Sequence, residues 1–189
     1  MLGIRPASEE TKGMPGEKTP AEWFDVVDDA DGVVSRATRQ EVHTQGLRHR
    51  AVHVLVFNRA GELFLQKRSR NKDTAPGAWD SSASGHVEAG EAYDACAVRE
   101  LREELGWQAP SDPVRWLRLP ACDETGREFV WVYRLKAEGP FTLHAGEIER
   151  GAWLSPGEIT RRVRARPGAF ASSFRLIWRK LAERGDVPE

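Results

Sequence analysis

Three glutamates, Glu100, Glu103 and Glu104, are spaced so that one α-helix would present their carboxylates on a single face. A helix turns about 100° per residue, which places them at roughly 300°, 240° and 340° when Ala97 is set at zero. Glu100 and Glu104 then stand as like charges at i and i+4, which weakens an isolated helix. Clustered carboxylate oxygens suit hard divalent ions, so Mg²⁺ is the natural candidate. A solvated acidic face is the alternative, and it would be the default for three glutamates outside the longer pattern to which these belong. Without the ion, mutual repulsion should raise some of the carboxylate pKa values.

The glutamates belong to a longer pattern, GHVEAGEAYDACAVRELREELGW, which runs from Gly85 to Trp107. Its spacing, G-x5-E-x7-R-E-U-x-E-E-x-G-U with U apolar, resembles the Nudix box, the signature of the Nudix hydrolases. Trp107 stands where that family usually has an aliphatic residue. The resemblance implies that the Gly85 carbonyl and the three glutamates hold Mg²⁺ (or Mn²⁺). It also implies that Arg99 orients one glutamate and that Glu91 supports the loop.

Basic and aromatic residues near the loops before this pattern are the candidates for substrate binding. Arginine binds phosphate through two parallel hydrogen bonds, and an aromatic ring can stack on a base. The candidates are Arg50, Arg68 and Lys72 for the phosphates and Trp79 for the stacking. The alternative for each basic residue is a solvated surface, and for the tryptophan it is the core.

The general base is left open between a box glutamate and a glutamate from a later loop, as the resemblance implies. Glu147 and Glu149 are the later candidates because they precede a short strand expected at Gly151 to Leu154. The expected reaction is Mg²⁺-assisted hydrolysis of a phosphoanhydride bond in a nucleoside diphosphate-linked or related organic diphosphate. The sequence does not identify the group attached to the diphosphate.

A second resemblance covers residues 23–90, through the segments HTQGLRHRAVHVLVFN and QKRSRNKDTAPGAWDSSASGHVEAGE. These segments are similar to the branch that includes the type 1 isopentenyl-diphosphate isomerases. In those isomerases a metal site is formed by residues matching His43, His49, His86 and Glu128.

Two departures argue against isomerase chemistry. The essential cysteine of the isomerases falls on Ser84 here, and a second glutamate of their metal site falls on Gly126. Proton transfer across an alkene needs a matched acid and base, and a serine hydroxyl is a poor acid near neutral pH. The pattern therefore favours a hydrolase, with an isomerase-like enzyme and a non-catalytic nucleotide-sensing module as the alternatives.

The surrounding elements predict an α+β chain in which a mixed sheet lies between helices as an α/β/α sandwich, the Nudix fold by resemblance. The box helix should begin at or just after Glu91 and end at Gly106, and it should bury Ala97, Val98, Leu101 and Leu105. Strands are expected at residues 23–28, 33–38, 51–57, 62–66, 114–119, 129–135 and 151–154. Later helices are expected from residue 156, capped by Ser155, and at 172–183.

Length and composition agree with one enzyme domain at residues 21–189, preceded by a mobile tail at residues 1–20. The net charge of −1 does not favour binding to a nucleic acid polymer or a membrane surface. Two cysteines and the absence of a signal-like apolar segment in the given sequence favour a cytoplasmic protein. Its partner is expected to be a small-molecule diphosphate, and a homodimer is an open expectation, since dimers are common in the resembling family.

Overall fold

The computed structural model describes residues 21–108 and 112–187. The expected mobile tail at residues 1–20 lies outside this range. The strands are β1 Trp23–Val27, β2 Val33–Thr38, β3 His49–Phe57, β4 Leu63–Arg68, β5 Trp79–Asp80, β6 Ala83–His86, β7 Val114–Leu119, β8 Glu128–Lys136 and β9 Ile148–Leu154. The helices are α1 Arg39–Gln45, α2 Tyr93–Leu105, α3 Pro156–Ala165 and α4 Ser172–Glu183, with a 3₁₀ turn at Pro167–Ala169.

A mixed sheet of seven strands forms the centre of the molecule. Five of them follow the order β5-β4-β3-β8-β7, while β6 pairs with β3 and β9 pairs with β4. The strand β3 runs parallel to β8 along its whole length. It is buried on both faces, which agrees with its nearly continuous apolar sequence. Alternate residues of β3 therefore enter two cores: Ala51 and Leu55 pack with α3 and α4, whereas Val52 and Val54 pack with α2. The expected α/β/α sandwich is confirmed.

The hairpin between β3 and β4 opens immediately after its turn. Only Phe57 and Leu63 are paired between these two strands. Beyond that pair, β3 bonds to β6 through Ala51 to Val54, and β4 bonds to β5 through Gln66 and Lys67. The other edge of β4 pairs with β9 along its whole length. The sheet is therefore split between β3 and β4, and short strands line both sides of the split.

The box helix α2 begins at Tyr93 and ends at Leu105, as its pattern predicts. Gly106 adopts the left-handed conformation with φ 61° and donates its N–H to Arg102 O, which ends the helix. The expected buried face is partly wrong: Val98 is 39% exposed, and Cys96 is fully buried instead. The buried face of α2 lies closer to the glutamates than the predicted face, so Glu100 and Glu104 are themselves buried.

An N-terminal unit, formed by β1, β2 and α1, packs against the main sheet. Its own small core contains Phe24, Val26, Ala37 and Val42. The helix α1 was not expected from the sequence, although Thr38 and Glu41 form a capping box at its start. Backbone hydrogen bonds from Val27 N to Arg48 O and from residue 89 to residue 23 join the unit to the rest of the fold.

Candidate active site

A cavity of about 560 Å³ opens across the split between β3 and β4. Its walls come from β3, β4, β6, α2 and the N-terminal unit, and the first turn of α4 closes one end. The residues predicted for the acidic centre, the phosphates and the general base that line it are Arg68, Lys72, Gly85, Arg99, Glu100, Glu103, Glu104 and Glu147. The structure thus brings together the acidic helix face, two of the basic candidates and one of the later glutamates.

Glu100 lies directly against the backbone of β6. A Cβ atom on Gly85 would stand 2.0 Å from Glu100 Oε1, so a side chain at this position would displace the carboxylate. Burial of Glu100 raises its pKa to about 7, although Arg99 beside it opposes the shift. The glycine of the motif therefore makes room for a carboxylate that enters the cavity wall.

Glu104 lies one turn further along α2 and is buried to the same degree. Its Oε2 accepts hydrogen bonds from Gln66 Nε2 at 2.9 Å and from Ser84 N at 3.0 Å. Burial raises the pKa of Glu104 to about 8, and the charge of Glu100 contributes further. The expectation of raised carboxylate pKa values holds in direction, but its main cause is burial rather than mutual repulsion.

Arg99 joins the start of the box to its acidic face. Its guanidinium forms two hydrogen bonds of 2.9 Å with Glu91, one through Nε and one through Nη2. The Nη1 atom donates to Glu100 Oε1 at 2.6 Å and to Glu103 Oε2 at 3.1 Å. Nη2 also donates to the carbonyl of His86 at 3.0 Å, which ties α2 to β6. The hydrogen bonds that Arg99 donates to Glu91 raise the pKa of Arg99, so it stays charged.

These residues fit a hard divalent cation. Glu100 and Glu104 are buried beside each other, and the described residues place one guanidinium, that of Arg99, against the pair of Glu100 and Glu103. Clustered carboxylates with raised pKa values gain most from an ion bound by oxygen. The residues that would hold it are Glu100, Glu103, Glu104 and the carbonyl of Gly85.

The basic candidates Arg68 and Lys72 line the same cavity. Arg68 Nη1 donates to Asp80 Oδ2 at 3.2 Å, and its Nε donates to Thr74 O at 3.1 Å. Lys72 forms an ion pair with Glu147. Since β9 begins at Ile148, earlier than the sequence indicates, Glu147 directly precedes the strand whereas Glu149 lies within it.

Two other candidates do not line the cavity. Arg50 donates through Nε to Asp31 Oδ1 at 2.7 Å, and both side chains are largely buried in this pair. Trp79 packs on the α3 and α4 side of the sheet, where Lys67 Nζ lies 5.5 Å from the centre of its ring. Both side chains therefore lie outside this cavity, with partners from other parts of the chain, and their role in substrate binding stays a prediction.

Three histidines converge at the other end of the cavity. One ring nitrogen from each of His43, His49 and His86 lies within 4.8 Å of the others. Glu128 Oε1 is 3.0 Å from His86 Nε2 and 3.5 Å from His49 Nε2. His49 is 1% exposed, and its Nε2 atom has no hydrogen-bond partner among the described residues. Phe24 stacks on His49 and His86 from the N-terminal unit.

This cluster fits the metal site that the resemblance to the isomerases implies. Imidazole nitrogens with one carboxylate suit ions such as Zn²⁺ better than Mg²⁺. Burial lowers the pKa of His43 to about 4, with a further contribution from His86, so this imidazole is neutral near pH 7. Burial opposes ionisation of Glu128, but the contacts with His49 and His86 outweigh it and lower the pKa of Glu128. A neutral imidazole at His43 and an ionised carboxylate at Glu128 are in the ligand state that a metal requires.

The sequence reasoning missed the part of the wall that comes from the N-terminal unit. Glu22, Phe24 and Arg39 line the cavity together with His43. The capping box of Thr38 and Glu41 was the available signal, because it predicts a helix that begins at Arg39 and carries His43 four residues later.

Comparison with known proteins agrees with this architecture. The NUDIX domain family model matches residues 47–174. An uncharacterized Nudix hydrolase of Yersinia pestis is 36% identical over 152 residues, which cover 77% of this chain and 81% of the relative. The uncharacterized Nudix hydrolase YfcD of Escherichia coli K12 is 35% identical over 141 residues, which cover 75% and 78% of the two chains.

Solved structures show the same fold. The crystal structure of DR0079 from Deinococcus radiodurans superposes with a TM-score of 0.74 at 30% identity and covers 84% of this chain and 98% of its own. The MutT protein of Methanosarcina mazei Go1, at 23% identity, has a TM-score of 0.57 and covers 71% and 93% of the two chains. None of the helices in the described ranges is long and apolar enough to cross a bilayer. The family match and the relatives together show that the chain belongs to the Nudix family.

Proposed function

We propose that the chain is a Mg²⁺-dependent hydrolase (Mn²⁺ is the alternative ion) that cleaves a phosphoanhydride bond in an organic diphosphate. The observation that supports it most is that Glu100, Glu103 and Glu104 line the same cavity as Arg68 and Lys72. Carboxylates can hold the ion, and the basic side chains can hold the phosphates. Membership of the Nudix family supports the same reaction class.

The residues of the chain divide the work between binding and orientation. Lys72 and Arg68 bind phosphate oxygens, and Lys72 exchanges its partner Glu147 for the substrate. Arg99 holds Glu100 and Glu103 at their hydrogen-bonding distances, so the acidic face is oriented before a ligand arrives. A divalent ion bound at the glutamates would neutralise the diphosphate and activate water for in-line attack on phosphorus.

Glu147 is the general base in this proposal. It lines the cavity, whereas Glu149 does not. When Lys72 turns to the phosphates, the Glu147 carboxylate is released to accept a proton from water. A box glutamate remains the alternative, because the raised pKa values of Glu100 and Glu104 also suit proton transfer near neutral pH.

The test is hydrolysis of a panel of nucleoside diphosphates, dinucleotides, nucleotide sugars and coenzyme A with Mg²⁺, followed by chromatographic identification of the phosphomonoesters or inorganic phosphate that each compound yields. Glu103→Gln should lower kcat by at least about 100-fold with the fold intact. Glu183→Gln, an exposed change on α4 outside the cavity, is the matched control. An isomerase would convert an allylic diphosphate without releasing phosphate, and a sensing module would bind nucleotides without turnover. Full activity of Glu103→Gln would remove the assignment of the glutamates.

A further inference from the structure

The N-terminal unit supplies a wall of the cavity although it lies outside the region that matches the family model. The match begins at residue 47, whereas Glu22, Phe24, Arg39 and His43 all line the cavity. Family membership alone therefore does not determine the chemistry of this wall. Arg39 is the one permanently charged cation that this wall contributes.

Arg39 is the least engaged of the four Lys and Arg side chains that line the cavity among the described residues. Arg99 is bound by three carboxylates and a carbonyl. Arg68 is bound by a carboxylate that is 4% exposed, and Lys72 is paired with Glu147. Arg39 Nη1 has a 3.0 Å contact with Glu22, whose side chain is 52% exposed. Ion pairs with such an exposed partner contribute little to stability, so this pair can be exchanged for a ligand.

The position of Arg39 is unfavourable for the local helix. It is the first residue of α1, where the helix dipole favours acidic rather than basic side chains. The capping box of Thr38 and Glu41 already stabilises this helix start without it. A residue that opposes the local preference and lines a cavity is expected where function requires it.

Arg39 and Lys72 line the same cavity but lie near different groups. The charge of Arg39 acts on His43 and His86 and lowers the pKa of both, after burial and the neighbouring histidines. The charge of Lys72 instead acts on Glu104. A cavity of about 560 Å³ is within the range of pockets that enclose whole small molecules, so it holds more than a diphosphate.

We propose that Arg39 binds a phosphomonoester on the organic part of the substrate, at the histidine end of the cavity. A phosphate dianion displaces the Glu22 carboxylate from Arg39 because it carries the larger charge and accepts two parallel hydrogen bonds. The substrate class is then an organic diphosphate that bears a second, separate phosphate. This inference rests on the proposed function, since it places the scissile diphosphate at the glutamates.

Two matched pairs of compounds test it: NADPH against NADH, and coenzyme A against dephospho-coenzyme A. The members of each pair share a diphosphate and differ by one phosphomonoester. The wild-type chain should favour the phosphorylated member in at least one pair. Arg39→Gln should raise KM for that member by about tenfold, as expected for a lost charge-assisted contact, with kcat unchanged. KM for the other member should change less than twofold.

Two further variants separate binding from a structural role. Glu22→Gln frees Arg39 and should lower KM for the phosphorylated member, whereas a structural ion pair would make both variants behave alike. Arg36→Gln is the matched control, because Arg36 also belongs to the N-terminal unit and pairs with a carboxylate but lies outside the cavity. Equal losses for both members of each pair, or no preference in the wild type, would overturn the inference.

The inference and the proposed function can fail separately. If no compound of the panel is hydrolysed, the proposed function fails. Titration calorimetry with the same two pairs then measures binding without turnover. Weaker binding of only the phosphorylated member to Arg39→Gln supports the inference in that case. Binding that does not depend on Arg39 overturns it.

Discussion

The Oε1 atom of Glu100 lies 2.0 Å from the position that a Cβ atom on Gly85 would occupy. Real side chains do not approach so closely, and Glu100 is buried, so it has little room to withdraw. Gly85 and Glu100, fifteen residues apart in the motif, are thus sterically coupled. Because Gly85 has no side chain, the carboxylate of Glu100 has space beside the backbone of β6.

Gly85→Ala should therefore remove activity without unfolding the chain. The methyl group forces Glu100 away from β6 and breaks its alignment with Glu103 and Glu104, and we expect kcat to fall by about 100-fold or more. The measurement is turnover together with a Mg²⁺ titration followed by Tm. Gly157→Ala is the control, since a Cβ there meets nothing within 4 Å. Retained Mg²⁺ binding and turnover in Gly85→Ala would show that Glu100 is not a ligand.

Stability without metal should fall as the pH rises from about 5 to 8. Glu100 and Glu104 have pKa values of about 7 and 8, above the ordinary value of 4.5. A carboxyl whose pKa is raised by folding stabilises the fold while it is protonated, and this contribution is lost as the pH passes its folded pKa. Bound Mg²⁺ offsets the loss, so the increase in Tm on adding Mg²⁺ should grow with pH.

Scanning calorimetry with Mg²⁺ and with a chelator, at several pH values, measures both effects. In Glu104→Gln the hydrogen bonds from Gln66 and Ser84 can persist while the charge is absent. This variant should therefore have a flatter pH dependence and a higher Tm in chelator near pH 8. A Mg²⁺-induced increase that is the same at every pH would contradict the burial of these carboxyl groups.

Glu147→Gln should lower kcat by about 100-fold and leave KM nearly unchanged, because the variant removes proton transfer but retains the shape of the side chain. Glu149→Gln is a matched control two residues further on, since Glu149 is exposed, lies in β9 and does not line the cavity. Steady-state kinetics on the best substrate of the panel compares the two. Unchanged kcat in Glu147→Gln would move the general base to a box glutamate.

Asp31→Asn should destabilise the chain by roughly 1–3 kcal/mol, the usual cost of removing one partner from a buried polar contact. Asp31 accepts hydrogen bonds from Arg50, Tyr93 and Arg118, and these join the β1–β2 turn to the main fold. Asparagine tolerates the φ of 68° at this position, so the change tests the charge alone. Urea unfolding measures the effect.

Asp29→Asn in the same turn is the control for Asp31→Asn. The Asp29 side chain is 91% exposed and has a 3.1 Å ion pair with Arg48, so we expect almost no loss of stability. Equal stability losses in the two variants would show that Asp31 does not hold the N-terminal unit in place.

Local patterns predicted the elements that carry the acidic centre. Gly106 ends α2 where a left-handed residue is needed, and Ser155 caps α3 by accepting from Glu158 N. Local patterns did not predict which side of α2 is buried. The prediction supposed that only apolar residues face inward, whereas here a cavity lies beside the core. Glu100 and Glu104 therefore face inward and Val98 does not.

Side chains that depend on distant partners could not be placed from the sequence. Arg50 is a candidate phosphate ligand by residue type, but its guanidinium is hydrogen-bonded to Asp31, nineteen residues earlier in the chain. Trp79 lies outside the cavity. The cationic groups of Lys67 and of Arg150 in β9 lie over its ring. Which partner each of these side chains binds depends on the tertiary structure, and residue types and spacing alone do not predict it.

The split between β3 and β4 has a consequence for the thermodynamics of ligand binding. The backbone groups of β3 and β4 that face the split are already paired with β6 and β5 at residues 51–54 and 66–67, so collapse would gain no hydrogen bonds there. The strands around the cavity therefore keep it open. A ligand that binds there does not lose free energy in moving β3 and β4 apart. Differences in affinity between compounds should then report the contacts they make, free of any contribution from moving the strands apart.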